Sequence, residues 1–318
     1  IPVIFFNTGV PGAIIGLTLA SFGSFLVGMR LLTLPFKDVT RRKTDLTTAD
    51  ILRFSMPVFS SSLYGFVIGS ASQFFVSRYL GVENFAMFAN GYRELPIAGI
   101  VIGAVAGILL PEFSRMTKGG SDSKQYLVLW KNVVLKSAAV IYPFSLYCCI
   151  FAPEIMGVLY GTVYREAADL FRIVTIINLV RIVPYGPIMF ALGKGKIFAK
   201  AHLVTALLLL GLDFLCVTFF PSLSAIAIIA TTTTVFCLVV LMVSTARLLN
   251  TGLSRLMPWK SMFKILSVST FSCFLGSCVV NLIGVTRDFP ALLSGFLISI
   301  VIYLPLSYIA GINYARLL

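Results

Sequence analysis

The chain has 318 residues, of which 58% are hydrophobic and 12% charged, with a formal net charge of +13. A water-soluble domain is about a quarter charged, so a chain this poor in charge and with a mean hydropathy of +0.97 cannot hide its apolar surface in water; its long, unbroken apolar runs make it an all-α polytopic membrane protein rather than a barrel of short alternating strands. The basic excess does not point to nucleic acid, because Lys and Arg sit in short loops between apolar runs and not in one patch.

In chain order, Ile1 to Thr8 has neither a basic segment nor a small-residue cleavage site, and it follows no Met, so it reads as a continuation of a longer protein rather than a signal peptide. Apolar runs long enough to cross a bilayer then occupy 11–32, 54–80, 85–110, 126–150, 167–192, 197–219, 223–249, 262–283 and 291–310, which predicts about nine helices. The longest polar stretch, 33–50, separates the first from the rest, and Thr47 or Thr48 is placed to cap the helix that follows. The stretch 52–115 reads as a membrane hairpin around the turn Gly81-Val82-Glu83-Asn84.

The loops alternate in charge. Lys37, Arg41, Arg42 and Lys43 follow the first span, and only Arg78 with Glu83 follows the second. Arg115, Lys118 and Lys124 come next, then Arg165 against Glu154 and Glu166, then Lys194, Lys196 and Lys200. The uncharged Phe220-Pro221-Ser222 turn is followed by Arg247, Arg255, Lys260 and Lys264, then by Arg287 with Asp288, and Arg316 lies near the end. The positive-inside rule puts the basic set in the cytoplasm, which places Ile1 outside and Leu318 inside the cytoplasmic (inner) membrane.

Prolines are expected inside helices at Pro96, Pro143, Pro184, Pro187 and Pro305, where each removes a backbone hydrogen bond and favours a kink. Gly99, Gly103 and Gly107, like Gly65 and Gly69, recur every four residues, a spacing that lets helices approach closely. The cysteines, Cys148, Cys149, Cys216, Cys237, Cys273 and Cys278, lie within apolar runs at no metal-ligand spacing and read as small packing residues.

Charge at membrane depth is costly and marks substrate or ion paths. Arg93 and Glu94 are candidates for a polar cavity, although neighbours on a helix do not face each other. Arg181 lies well inside its span with Asn178 on the same face, and needs an anion: a cargo group or a carboxylate from another helix. Asp213 is the one acid deep in the later spans, able to bind a proton or Na⁺ or to neutralise Arg181. Gln73 adds a polar contact in the outer half of its span, and Asp169 with Arg172 reads as a local pair. Thr231 to Thr234 are expected to bond back to their own helix. His202 is alone, Gly193 to Lys196 form a tight turn rather than a phosphate loop, and no nucleophile elbow or metal cluster is present, so no catalysis and no cofactor are expected.

The segments RFSMPVFSSSL, SRYLGVENFAMFANGYRELP and ILLPEFSR within 52–115, with ALGKGK ending at Lys196, resemble the polysaccharide flippase branch of the MATE-like (MOP) exporter superfamily, the Wzx-type O-antigen and oligosaccharide flippases. The resemblance implies fourteen spans in two six-helix lobes with two added helices. Residues 1–32 then hold the last helix of a mostly missing first lobe, 33–50 the cytoplasmic linker, 51–249 the second lobe and 250–318 the added pair. It also implies a cationic cavity that faces a lipid diphosphate, with Arg93 in the re-entry helix where a basic residue is common. Glu94 departs from the lipid II group and argues against a peptidoglycan cargo. Arg181 and Asp213 rest on depth alone. The expected cargo is an undecaprenyl-diphosphate-linked oligosaccharide, and the expected partners are membrane lipids and glycan assembly proteins. Alternatives are a multidrug antiporter of the same superfamily, which wants an acid-lined cavity, and a membrane glycosyltransferase or polymerase, which wants a large outer loop.

Overall fold

The structure, a computed structural model, describes residues 9–34, 47–94, 96–285 and 287–312. Residues 1–8, most of the linker expected at 33–50, and Arg316 lie outside the described residues. The chain divides into two units, Ile1–Ile51 and Leu52–Leu318. The first contains helix α1 (Gly9–Thr33), along which Thr18 and Ser24 donate their hydroxyls back to the carbonyls of Ile14 and Ala20, each at 2.9 Å. Helix α2 (Thr48–Tyr79) opens with a reciprocal cap: Thr47 Oγ1 accepts from the Asp50 N–H at 3.2 Å, and Asp50 Oδ2 accepts from the Thr47 N–H at 3.1 Å. That arrangement satisfies two donors a helix start otherwise leaves free.

The larger unit continues through α3 (Val82–Gly91), α4 (Pro96–Lys118), α5 (Ser123–Ile150) and α6 (Ala152–Tyr160), then a 3-10 turn at Thr162–Ala167. The short helices α7 (Ala168–Thr175), α8 (Ile177–Val180) and α9 (Gly186–Ala191) lead into α10 (Gly195–Phe219) and α11 (Leu223–Leu248). After the turn α12 (Leu253–Leu256) come α13 (Trp259–Ile283) and α14 (Asp288–Ile309). Among the described residues, eight helices are long and apolar enough to cross a membrane. Their outer faces agree with a lipid solvent: Phe66, Leu207, Phe263 and Val301 are each more than 60% exposed, a surface that water would not tolerate.

Two of the expected spans are not continuous. Residues 85–110 are interrupted after Gly91, and 167–192 is cut into α7, α8 and α9. Proline marks the break before α4 and the break before α9, whereas no proline lies near the break between α7 and α8 at Ile176. A residue before proline is pushed out of the helical region, and Pro96 opens α4 instead of bending a longer helix. Pro184 falls in the gap after α8, and Pro187 occupies the first turn of α9. Pro143 and Pro305 do lie inside helices, as do Pro57 and Pro111.

The interrupted segments run side by side, half against half. The first halves meet where α3 packs on the 3-10 turn and α7, and the second halves where α4 packs on α9. Helix α5 fills the centre. Its buried residues Tyr126, Trp130, Val134, Ser137, Ile141, Ser145 and Cys148 fall three or four apart, the spacing that lines one helical face. Against α5 lies α13, and against α13 lies α14, whose buried Ala291, Gly295, Ser299, Tyr303 and Ser307 recur every fourth residue. At that seam a Cβ on Gly276 would strike the Ser299 hydroxyl, and one on Gly295 the Phe151 ring. Close approach therefore happens at these two glycines and not at the expected stripes: within the larger unit, a Cβ on Gly65, Gly69, Gly99, Gly103 or Gly107 would meet nothing within 4 Å. The cysteines are all free and buried or half-buried, as packing residues are.

Candidate functional site

The break before α4 and the break before α9 begin in the same local way. Tyr92 closes α3 at φ −82° and ψ 55°, and Arg181 closes α8 at φ −85° and ψ 67°. These values belong to the inverse γ-turn, and the Ile182 N–H donates to the Val180 carbonyl at 3.1 Å across Arg181 as that turn requires. Irregular backbone at membrane depth survives only where protein buries it or where it lines a polar cavity.

The two gaps are joined by charge. Arg181 donates to and pairs with Glu94, the residue two places after Tyr92. A second, longer bond runs from Arg181 to Asn178 Oδ1 at 3.4 Å. The pair is neither sealed nor open: the Arg181 side chain is 31% exposed and that of Glu94 20%. Arg181 Nε is buried without a hydrogen-bond partner among the described residues. Arg93 is exposed and joins no described residue by hydrogen bond or ion pair, so the structure separates the neighbours: Glu94 turns to Arg181, and Arg93 away. Neither sits on a helix, which corrects the expectation of two adjacent helical residues.

A second polar group lies between α2 and α10. Asp213 is fully enclosed; its Oδ2 accepts from the Ser72 hydroxyl at 2.7 Å, and its Oδ1 has no hydrogen-bond partner among the described residues. Asp213 therefore does not neutralise Arg181, whose carboxylate partner is Glu94. Tyr92 lies two places before Glu94 and packs against the cluster of Ala71, Leu209 and Ala230, in which Ala71 is next to Ser72 and Leu209 is one turn from Asp213. Its hydroxyl shares a 3.0 Å hydrogen bond with Thr231 of α11. Thr231 reaches on to the Ile173 carbonyl at 3.4 Å, whereas Thr232, Thr233 and Thr234 bond back to their own helix as expected. Gln73, beside Ser72, is half-buried and has no hydrogen bond to a described residue.

Thus the sequence-derived residues fall into two clusters, Glu94 with Arg181 and Asn178, and Asp213 alone with Ser72. The sequence reading missed Ser72, Tyr92 and Thr231. A serine in a span, or one threonine of four, carries no signal by itself. Tyr92 had one, the helix-breaking Leu95-Pro96 step three residues on. Away from the site, Asp169 pairs locally with Arg172 at 2.8 Å, Arg165 pairs with Asp288 at the start of α14, and His202 Nδ1 lies 3.0 Å from the Phe198 carbonyl. The Gly193 turn is tight, with Gly193 at φ 68° and the Lys194 N–H donating to the Met189 carbonyl at 2.7 Å.

A family model described as polysaccharide biosynthesis protein matches residues 3–169, just over half of the chain. The chain belongs to this polysaccharide biosynthesis family. Its fold is also found in the solved structure of the lipid II flippase MurJ in an inward closed conformation, with a TM-score of 0.55 at 17% identity. The match covers 90% of this chain and 60% of that one, so this member of the polysaccharide biosynthesis family spans about three fifths of the flippase's length. No curated protein matches the sequence significantly. The MATE-like membrane fold expected from the segments around 52–115 is the fold this family member has.

Proposed function

We propose that the chain translocates an undecaprenyl-diphosphate-linked oligosaccharide across the cytoplasmic membrane by alternating access. The observation that carries this reading is the meeting of two helix interruptions at Glu94 and Arg181, with Arg93 free beside them. Discontinuous helices at membrane depth are where transporters bind their cargo, because freed backbone groups and charged side chains can face it there. Family membership and the fold shared with a lipid II flippase support the same class of cargo. In this reading Arg93 makes the first contact with the diphosphate. Arg181 makes the second, exchanging the Glu94 carboxylate for a phosphate oxygen, while Asn178 and Gln73 receive sugar or phosphate groups. Glu94 is then the internal counter-ion that keeps Arg181 from standing unpaired in the empty site, since an uncompensated charge in a low-dielectric setting is costly.

Asp213 couples transport to a gradient. Its enclosed carboxyl has one oxygen held by Ser72 and the other without a partner, an arrangement that receives a proton or Na⁺. Tyr92 carries that event toward the cargo site, because it packs on the Ala71, Leu209 and Ala230 cluster beside Asp213, bonds to Thr231 and lies two places before Glu94. The basic loops face the cytoplasm, Ile1 lies outside, 33–50 links two lobes, 51–249 is the second of them, and 250–318 adds two helices. Glycan assembly proteins are the natural neighbours of such an exporter.

The test is export of the lipid-linked oligosaccharide in cells that depend on this protein, with Arg93→Ala and Arg181→Ala. Each variant is expected to lose most export while still reaching the membrane. Unchanged export in both removes the cargo assignment.

A further inference from the structure

One feature of the α13/α14 pair plays no part in the cargo reading. At the end where α13 begins and α14 stops, the two helices leave an open groove of about 840 Å³. Its walls are Trp259, Phe263 and Val268 on α13 and Ile309 on α14, and two lysines, Lys260 and Lys264, stand along it. The lysines are four residues apart and so share a face, as Trp259 and Phe263 do beside them. Neither lysine forms an ion pair among the described residues, and the sequence holds no Asp or Glu between Asp213 and Asp288. Trp259 is not a loose ring: its indole N–H donates to the Leu253 carbonyl at 3.2 Å, which holds it half-exposed at the mouth of the groove.

We propose that this groove binds a glycerophospholipid with a net negative headgroup. The groove is complementary to such a lipid on two levels. Both helices are membrane-spanning in length and composition, so apolar walls at their ends meet acyl chains. Tryptophan belongs at the boundary between chains and headgroups. Lys264 sits about 6 Å further along the helix than Lys260, and both stems are long enough to bring their ammonium groups to one phosphate level. The start of α13 adds the positive end of a helix dipole. Two cations with no ion pair among the described residues favour a net negative headgroup over a zwitterionic one. The proposal rests on the chain spanning a bilayer and is independent of the flippase reading, so its test does not measure transport.

The chain has two tryptophans, and Trp130 is fully buried, so Trp259 is a built-in reporter. In a Trp130→Phe background in nanodiscs, brominated phosphatidylglycerol is expected to half-quench Trp259 at about a tenth of the mole fraction that brominated phosphatidylcholine needs, on the scale of two lysines near an anionic lipid. The preference should vanish in Lys260→Gln/Lys264→Gln. Equal quenching by both lipids, or a preference that survives the double substitution, overturns the proposal. Stronger competition by undecaprenyl phosphate than by phosphatidylglycerol overturns the choice of a bulk phospholipid. Should Trp130→Phe fail to fold, native mass spectrometry of the tryptophan-retaining chain replaces quenching. Retained phosphatidylglycerol that drops about tenfold in the double variant supports the site, and unchanged retention refutes it.

Discussion

At the seam of α5, α13 and α14, Ser269, Ser272, Gly276, Gly295 and Ser299 are small and uncharged, and the helices that carry them run unbroken. At the interruptions around Tyr92 and Arg181 the backbone stops being helical, and Arg181 and Glu94 face each other across the gap. Both regions are polar within an apolar chain. The seam uses polarity for closeness: a serine costs little volume and can bond to its own helix, as Ser269 does to the Ile265 carbonyl at 2.6 Å. The interruptions use it for charge, which no packing argument requires and which must be matched. Under the proposed function, polar residues in a membrane helix are therefore separable by what their removal breaks: helix contact in one region, cargo and ion handling in the other.

The largest effect is expected from charge reversal at the interruptions. Arg181→Glu sets two carboxylates against each other and should lower export at least about a hundredfold, on the scale of removing one partner of a partly buried pair. Adding Glu94→Arg restores opposite charges and should recover the melting temperature but not export. Recovery of both would make the pair structural only, and the contrast with the seam would collapse. Next in size is the seam itself. Gly295→Val drives a side chain into the Phe151 ring and should destabilise the chain by about 2 kcal/mol in a denaturation measurement. Gly103→Val, where the space is open, should stay within about 0.5 kcal/mol of the parent. Equal losses in the two would mean that small-residue spacing, and not contact, sets the cost.

The interval between these two results measures what the sequence alone could convey. Span positions were legible because about twenty apolar residues in a row have one use. The Thr47 cap, the Asp169–Arg172 pair and the back-bonding of Thr232 to Thr234 were legible because each is a local rule acting within four residues. The glycine stripes misled because spacing says which residues share a face and not what stands opposite. The ion pair between Glu94 and Arg181 joins positions 87 apart, and the Asp213–Ser72 bond positions 141 apart, so neither could be read from either segment alone. The interruptions themselves are within reach of the sequence, since Pro96, Pro184 and Pro187 all stand in it, but a proline signals a kink and a full break alike.

Two smaller effects would sharpen the contrast. Asp213→Asn keeps a group that accepts from Ser72 and removes the charge. It should leave thermal stability unchanged and lower gradient-driven export about tenfold, a loss read as insensitivity to an imposed Na⁺ or proton gradient in proteoliposomes. Tyr92→Phe deletes only the bond to Thr231 and should cost about 1 kcal/mol of stability. If Asp213→Asn instead melts the protein, Asp213 belongs with the seam.

The half-against-half pairing of the interrupted segments has a mechanical consequence. Because α3 lies with α7 and α4 lies with α9, both helical paths lose their ladder of hydrogen bonds between the same two sets of contacts. Articulation there stretches no helical hydrogen bond in either path. The only described ionic tie between the two interruptions is Glu94 to Arg181, so in the proposed transport cycle a phosphate that draws Arg181 away also frees the two interruptions from each other.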